Sequence, residues 1–153
     1  MKRIQLFSII ILAILFTACS GADKPSPDRS KTIATAAANA SASMLEVIDF
    51  HSTRRCTRCQ MIEANTLHTL DTYFGDELIS GKISLRIINV DEEKNFEIAE
   101  RFEAIGTSLF LNLIKDGKET HIDLTNFAFK NWENQDVFSK ELKSKISAEL
   151  KKI

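Results

Sequence analysis

Two cysteines lie directly after a strand-like segment. The segment "LEVIDFH" (45–51) is short, apolar and rich in β-branched residues, which predicts a β-strand. Cys56 and Cys59 follow within the stretch "HSTRRCTRCQ" (51–60). Beyond them, apolar residues recur at helical spacing until "SGK" (80–82): Ile62, Leu67, Leu70, Tyr73 and Phe74. The predicted order is strand, cysteine pair, helix, so both cysteines should lie where the helix begins.

The rest of the chain alternates between strand-like apolar segments and segments whose apolar residues have helical spacing. The nearly continuous apolar run at 83–91 predicts a strand covered on both faces. Residues 92–106 predict an amphipathic helix with Phe96, Ile98, Ala99 and Phe102 on its apolar side. Asp116 and Gly117 form the turn of a hairpin. A last helix is indicated by Val137, Phe138, Leu142, Ile146, Leu150 and Ile153. The order βαβαββα indicates an α/β fold, with Phe127, Phe129 and Trp132 packing in the loop before the last helix.

The N-terminus has the features of an export signal. Two basic residues precede an apolar run that ends at Phe16, too short for the roughly 20 residues of a membrane span. The stretch "LFTAC" resembles a bacterial lipobox, although Phe16 replaces the usual leucine. We therefore expect residues 1–18 to be a signal peptide and Cys19 to be lipidated; the alternative is ordinary cleavage further on, for example after Ala22. This predicts a bacterial cell-envelope lipoprotein with its soluble domain outside the cytoplasm.

The amino-acid composition differs between the segment after the signal peptide and the rest of the chain. Residues 19–43 contain both prolines of the chain and no aromatic residue, which predicts a disordered tether, and 44–153 has the usual size of one domain. Without the signal peptide the chain has 18 basic and 21 acidic side chains, so its charge does not suggest a nucleic-acid partner. The expected partners are a membrane, through the lipid anchor, and other proteins.

The chain resembles thioredoxin-fold proteins. The resemblance covers nearly all of 44–153 and rests on the cysteine pair after the first strand, on "VIDF" and on "IGTSLFLNLIKDGKE". It implies a mixed four-stranded sheet flanked by helices. It also implies that Asp49 is buried beneath the cysteines as a proton acceptor for Cys59; the alternative is a surface acid at a strand position.

Two departures from the family pattern concern the surroundings of the cysteines. The loop that carries a cis-proline in the family, and docks substrates there, has Thr107 and Ser108 instead. A cis peptide bond without proline costs about 2.5–4 kcal/mol, so we expect a trans bond. The approach to Cys56 is one residue longer than in thioredoxin, and no tryptophan flanks the cysteines; the only one is Trp132.

The spacing of the cysteines favours redox chemistry. At the start of a helix, free N–H groups and the helix dipole should stabilise a Cys56 thiolate, and Arg54, Arg55 and Arg58 should add to this effect. Cys56 is then the nucleophile and Cys59 the shielded, resolving thiol. A disulfide that closes so small a loop adds little stability, which argues against a purely structural role. The predicted activity is disulfide exchange with protein thiols or disulfides, without a cofactor, and with an unidentified redox partner that recycles the pair.

Two other functions remain open from the sequence. Cys56, Cys59 and His51 are soft ligands suited to copper(I) or zinc in a metal-binding or delivery module, although tetrahedral zinc needs a fourth ligand. Alternatively, the chain is an interaction module that has kept the fold and lost turnover. His51 should share a strand face with Asp49, whereas His68 and His121 are expected to have no chemical role.

Overall fold

A single mixed sheet organises the part of the chain that the computed structural model describes, residues 43–153. Its strands are β1 (Met44–His51), β2 (Ile83–Asn89), β3 (Ser108–Lys115) and β4 (Lys118–Asp123). The spatial order is β2-β1-β3-β4. β1 runs parallel to β2 and antiparallel to β3, and β4 is antiparallel to β3. The mixed four-stranded sheet flanked by helices is thus confirmed.

Within residues 43–153 the sheet is accompanied by five α-helices: α1 (Thr57–Tyr73), α2 (Gly75–Ser80), α3 (Phe96–Arg101), α4 (Thr125–Asn131) and α5 (Gln135–Leu150). The single helix predicted after the cysteines is divided at Phe74, whose φ of −135° and ψ of 28° are not helical. The helix predicted over 92–106 is shorter than expected, because a 3-10 turn (Glu93–Asn95) precedes it and it ends at Arg101. α4 occupies the segment that was predicted to be a loop.

Apolar side chains fill both faces of the sheet. On one face, Leu45 and Val47 belong to the larger cluster, with residues of α1 and α5 such as Ile62, Leu142 and Ile146. On the other face, a smaller cluster contains Ile48 together with the rings of Phe50, Phe102 and Phe110, whose centroids lie 5.3–5.9 Å apart. β1 is therefore one of the two inner strands of the sheet, and residues at its C-terminal end are held from both sides.

The hairpin turn has the conformation that the sequence predicts, but β2 is not buried on both faces as predicted. Asp116 and Gly117 have φ of 51° and 73°, the left-handed values that a two-residue hairpin turn requires. β2 lies at an edge of the described sheet, and Ile87 is 42 % exposed, so the prediction that both faces of this strand are covered is wrong. Phe96 is 55 % exposed, so it is not part of a buried helix face.

Several predictions concern residues outside the described range. The signal peptide at 1–18, lipidation of Cys19 and nearly all of the tether at 19–43 fall there. Among residues 43–153, none of the helices is both long enough and apolar enough to span a bilayer.

Candidate functional site

The two cysteines lie at the N-terminus of α1 and are joined by a disulfide, with their Cα atoms 5.1 Å apart. Cys56 is the N-cap residue of the helix, with an extended backbone. Its Sγ accepts a hydrogen bond from the backbone N–H of Cys59 over 3.2 Å. After reduction, the same N–H and the positive end of the helix dipole would stabilise a thiolate on Cys56.

The two sulfur-bearing side chains differ in their access to solvent. Cys56 is exposed, whereas Cys59, on the first turn of α1, is only 8 % exposed. A substrate sulfur must approach along the axis of the disulfide bond, and only Cys56 offers an open surface for that approach. The geometry therefore suits the roles expected from the sequence, with Cys56 as the attacked or attacking sulfur and Cys59 as the resolving one.

Asp49 is completely buried near the end of β1. Its strand neighbours in register are Ile87 and Leu109, and neither carboxylate oxygen has a hydrogen-bond partner. Burial, the largest cause, and the negative charge of Glu63 together raise the pKa of Asp49 from 3.8 to about 8, although the positive charge of Arg55 lowers it. The alternative of a surface acid is therefore wrong. Asp49 carries a proton at neutral pH, and it can exchange that proton near neutral pH.

The arginines of the cysteine segment are arranged in different ways. Arg55 forms an ion pair with Glu63 of α1, with Nη2 2.5 Å from Oε2. Its charge is therefore compensated, and it is not the free cation beside Cys56 that the sequence suggested. The guanidinium of Arg58 lies over the rings of Phe129 and Trp132, 5.7 Å and 5.5 Å from their centroids. Within the described residues Arg58 has no ion-pair partner, so its charge stays uncompensated on the first turn of α1.

Trp132 was expected only to pack before the last helix, and the sequence analysis did not predict its contact with Arg58 beside the cysteines. It follows the C-terminus of α4, and its carbonyl accepts a hydrogen bond of 2.9 Å from Nδ2 of the buried Asn65 on α1. The same Asn65 accepts a bond of 3.3 Å from the side chain of Gln135. These bonds hold the indole ring where it meets Arg58. No local pattern indicates this contact, because it joins segments far apart in the chain.

Ser108 and the loop before it lie beside the C-terminal end of β1. Ser108 is the first residue of β3 and pairs with Phe50, and its hydroxyl donates to the carbonyl of Gly106 over 3.3 Å. A Cβ atom on Gly106 would lie 3.6 Å from Oγ of Ser52, in the approach to the cysteines. The segment with Thr107 and Ser108 is therefore adjacent to the approach segment, as the substrate-loop prediction requires.

The metal alternative lacks a third ligand in residues 43–153. No group of three or more His, Cys, Asp or Glu side chains in this range is placed to hold a metal ion. The half-buried His51 has its Nδ1 3.0 Å from the carbonyl of Ser52. His68 is exposed on α1, and the ring of His121 stacks on Phe102 with centroids 3.9 Å apart.

Comparisons with known proteins were made by sequence and by structure. No family model and no curated protein matches the chain. Three similar solved structures each cover 57 % of this chain. They are a malarial protein (18 % identity, 94 % of its own chain, TM-score 0.37), the thioredoxin of Fasciola hepatica (20 %, 76 %, 0.38) and oxidized mitochondrial thioredoxin 3 of Saccharomyces cerevisiae (24 %, 74 %, 0.37). Likenesses at this level carry no conclusion about activity.

The architecture itself agrees with the family resemblance. The mixed four-stranded sheet, the order of its strands along the chain and the Cys-x-x-Cys pair after β1 are those that the resemblance implies. The fold is thioredoxin-like.

Proposed function

We propose that this protein is a thiol–disulfide oxidoreductase of the bacterial cell envelope, which exchanges disulfides with protein substrates through Cys56 and Cys59. One observation carries the proposal: the disulfide joins an exposed sulfur at a helix N-cap to a shielded sulfur one turn further on. The buried carboxyl of Asp49, which exchanges its proton near neutral pH, supplies the acid–base group that such exchange needs.

In the oxidising direction, a substrate thiolate attacks Sγ of Cys56. The bond between the two cysteines breaks, and its electron pair leaves on Cys59, which takes a proton from Asp49. A second substrate thiolate then attacks the substrate sulfur of the mixed disulfide. Cys56 leaves as a thiolate, which the N–H of Cys59 and the start of α1 stabilise.

In the reducing direction, the same steps run backwards. The Cys56 thiolate attacks a substrate disulfide, and one substrate sulfur leaves as a thiolate. Asp49, now ionised, removes the proton of Cys59, and the new thiolate attacks Sγ of Cys56 and releases the second substrate sulfur. The direction of net transfer depends on the reduction potential of the pair and on the protein that recycles it.

Trapping of mixed disulfides tests this proposal. Cys59→Ser removes the resolving sulfur and leaves Cys56, so the reduced variant should accumulate mixed disulfides with oxidised glutathione or protein disulfides. Cys56→Ser retains only the shielded thiol and should accumulate almost none. Mass spectrometry of protein alkylated at low pH measures both. If neither variant forms a mixed disulfide, the pair does not exchange, and an interaction module without turnover becomes the better description.

We propose further that Cys19 holds the protein on a membrane through its lipid. The support is the basic start, the apolar run and the lipobox-like "LFTAC" of the sequence. Cys19→Ala should release the protein from the membrane fraction or leave its precursor uncleaved. Normal processing together with unchanged membrane association would contradict this part of the proposal.

A further inference from the structure

The side chain of Arg58 is held beside the two cysteines by aromatic rings from another part of the chain. Arg58 lies between Cys56 and Cys59, in the loop that the disulfide closes, on the first turn of α1. Its guanidinium carbon is 5.7 Å from the ring centroid of Phe129, on α4, and 5.5 Å from that of Trp132, which follows α4. These contacts use the faces of the rings, so they provide no acceptor oxygen for the N–H groups of the guanidinium.

The two rings are themselves fixed by the fold. The carbonyl of Trp132 accepts a hydrogen bond of 2.9 Å from Nδ2 of the buried Asn65, whose Oδ1 accepts one of 3.3 Å from the side chain of Gln135. Ala128, in the middle of α4, is buried in the larger apolar cluster, and Phe129 packs against the same cluster. The position of the guanidinium is therefore set by contacts between α1 and α4 before any substrate binds.

Arg58 carries a charge that has no partner in residues 43–153. Its side chain is exposed, and it takes part in none of the ion pairs of this range. Arg55, by contrast, is paired with Glu63. A guanidinium presents its N–H donors in a planar arrangement that matches the two oxygens of a carboxylate. A carboxylate is therefore the group that best complements this side chain.

Any substrate that reacts with Cys56 must contact the surface to which Arg58 belongs. Cys56, Thr57 and Arg58 are three consecutive exposed residues, whereas Cys59 behind them is buried. When a substrate sulfur meets Sγ of Cys56, the residues that flank the substrate cysteine therefore lie close to this turn of α1.

We propose that Arg58, oriented by Phe129 and Trp132, binds a carboxylate next to the reacting sulfur of the substrate, so that the protein selects disulfides with acidic neighbours. The inference rests on the proposed function and names the substrate class of the same site: protein segments in which an acidic residue lies beside the cysteine. In the reaction, the Cys56 thiolate attacks one substrate sulfur, and the other sulfur leaves with the electron pair of the broken disulfide bond. The carboxylate is not consumed, so Arg58 determines specificity and takes no part in the chemistry.

Small disulfides of different charge test the proposal. The reduced Cys59→Ser variant presents Cys56 without the resolving thiol. Its rate of mixed-disulfide formation, assigned to Cys56 by mass spectrometry, is measured with dithiodipropionate, which carries two carboxylates, and with the neutral hydroxyethyl disulfide. The ratio of the two rates cancels any change in the reactivity of the thiolate itself. Because water and salt screen an exposed ion pair, adding Arg58→Met should lower this ratio by only about three- to fivefold at low ionic strength.

Further substitutions separate the contact from the charge. Arg54→Met removes an exposed arginine before Cys56 and should lower the ratio by less than about twofold. Arg58→Lys keeps the charge without the planar group, and Trp132→Leu keeps the arginine but removes one of its rings; each should lose part of the preference. With cystamine, whose two ammonium groups are positive, Arg58→Met should raise the rate relative to the neutral disulfide.

Three results would overturn the inference, and they are distinguishable. An unchanged ratio in Arg58→Met would show that Arg58 binds no substrate carboxylate, and the proposed function would stand. An equal decrease in Arg54→Met would show a general effect of positive charge and would reject the specific contact. If the Cys59→Ser protein forms no mixed disulfide with any of the three probes, the proposed function fails, and the role of Arg58 fails with it.

Discussion

Cys56 and Asp49 each carry negative charge at some point of the proposed cycle, and their surroundings are opposite. Cys56 is exposed, caps α1 and accepts an N–H. Asp49 is completely buried, and neither of its oxygens has a donor. A negative charge is thus stabilised on the sulfur, whereas burial raises the pKa of Asp49 to about 8 and keeps its carboxyl protonated. Because Cys56 is exposed and Asp49 is buried, Cys56 suits the role of nucleophile and Asp49 the role of proton carrier.

The arginines reinforce this difference. Arg55 is paired with Glu63, and the two charges act on the pKa of Asp49 in opposite directions. The guanidinium of Arg58 lies over the faces of Phe129 and Trp132 and has no ion-pair partner in residues 43–153, so its charge remains available on the first turn of α1. An uncompensated positive charge therefore lies on the helix turn that Cys56 caps, whereas the charges that act on Asp49 are paired.

The largest expected effect comes from removing the buried carboxyl. The pKa of Asp49 is about 8 in the folded protein and ordinarily 3.8, so its contribution to stability is fully present below pH 3.8 and is lost as the pH rises to about 8. Over this window the wild type should lose several kcal/mol in its free energy of unfolding from this group. Asp49→Asn should lack that loss and should be the more stable protein at pH 8.5. Urea denaturation at pH 5 and pH 8.5 measures the difference.

The control for this experiment is Asp71→Asn, which changes an exposed acid of α1. It should follow the wild type at both pH values. Parallel stability curves for Asp49→Asn and the wild type would mean that Asp49 is ionised in the folded protein, and the contrast with Cys56 would disappear.

Charge reversal at Arg58 should have an intermediate effect. Arg58→Glu places a negative charge beside the thiolate of Cys56, so the pKa of this thiol should rise and its alkylation near neutral pH should slow by roughly three- to tenfold. Arg55→Met should slow alkylation less, because Glu63 already compensates that charge. Equal effects of the two substitutions would show that the ion pair does not shield Cys56 from Arg55.

The smallest effect is expected from Trp132. Trp132→Leu removes one of the two rings that Arg58 lies over, at a cost of about 0.5–1 kcal/mol for the lost contact. Arg58 should become less ordered, and alkylation of Cys56 should slow by less than about twofold. The same assay measures it, with Trp132→Phe as the conservative control. A decrease as large as that of Arg58→Glu would mean that the tryptophan itself contacts the reactive sulfur.

Local patterns were sufficient for the core of the site. The apolar segment before the cysteines and the helical spacing after them predicted β1 and α1, and the turn dipeptide predicted the hairpin. Burial of Asp49 could be inferred only from the family resemblance, since a polar residue within an apolar strand does not show which face it occupies. The predictions of β1, α1 and the hairpin succeeded because each depends on neighbours within a few residues.

Predictions failed where the outcome depends on distant parts of the chain. The apolar run of β2 has the same sequence pattern whether one face is covered or two, so the exposure of Ile87 could not be anticipated. The seven residues of α4 are too few to show a helical period. The contacts of Arg55 with Glu63 and of Arg58 with Trp132 depend on how the approach segment and α4 fold over α1.

The most direct test of the account is to determine which cysteine of the reduced protein reacts, and at what pH. Iodoacetamide alkylation, quenched at intervals and resolved by mass spectrometry, gives the rate for each cysteine separately. We expect Cys56 to react first, with a pH midpoint well below the ordinary value of about 8.5. Cys59 should remain largely unmodified in the native protein. Faster reaction of Cys59, or a midpoint near 8.5 for Cys56, would contradict the assignment of roles.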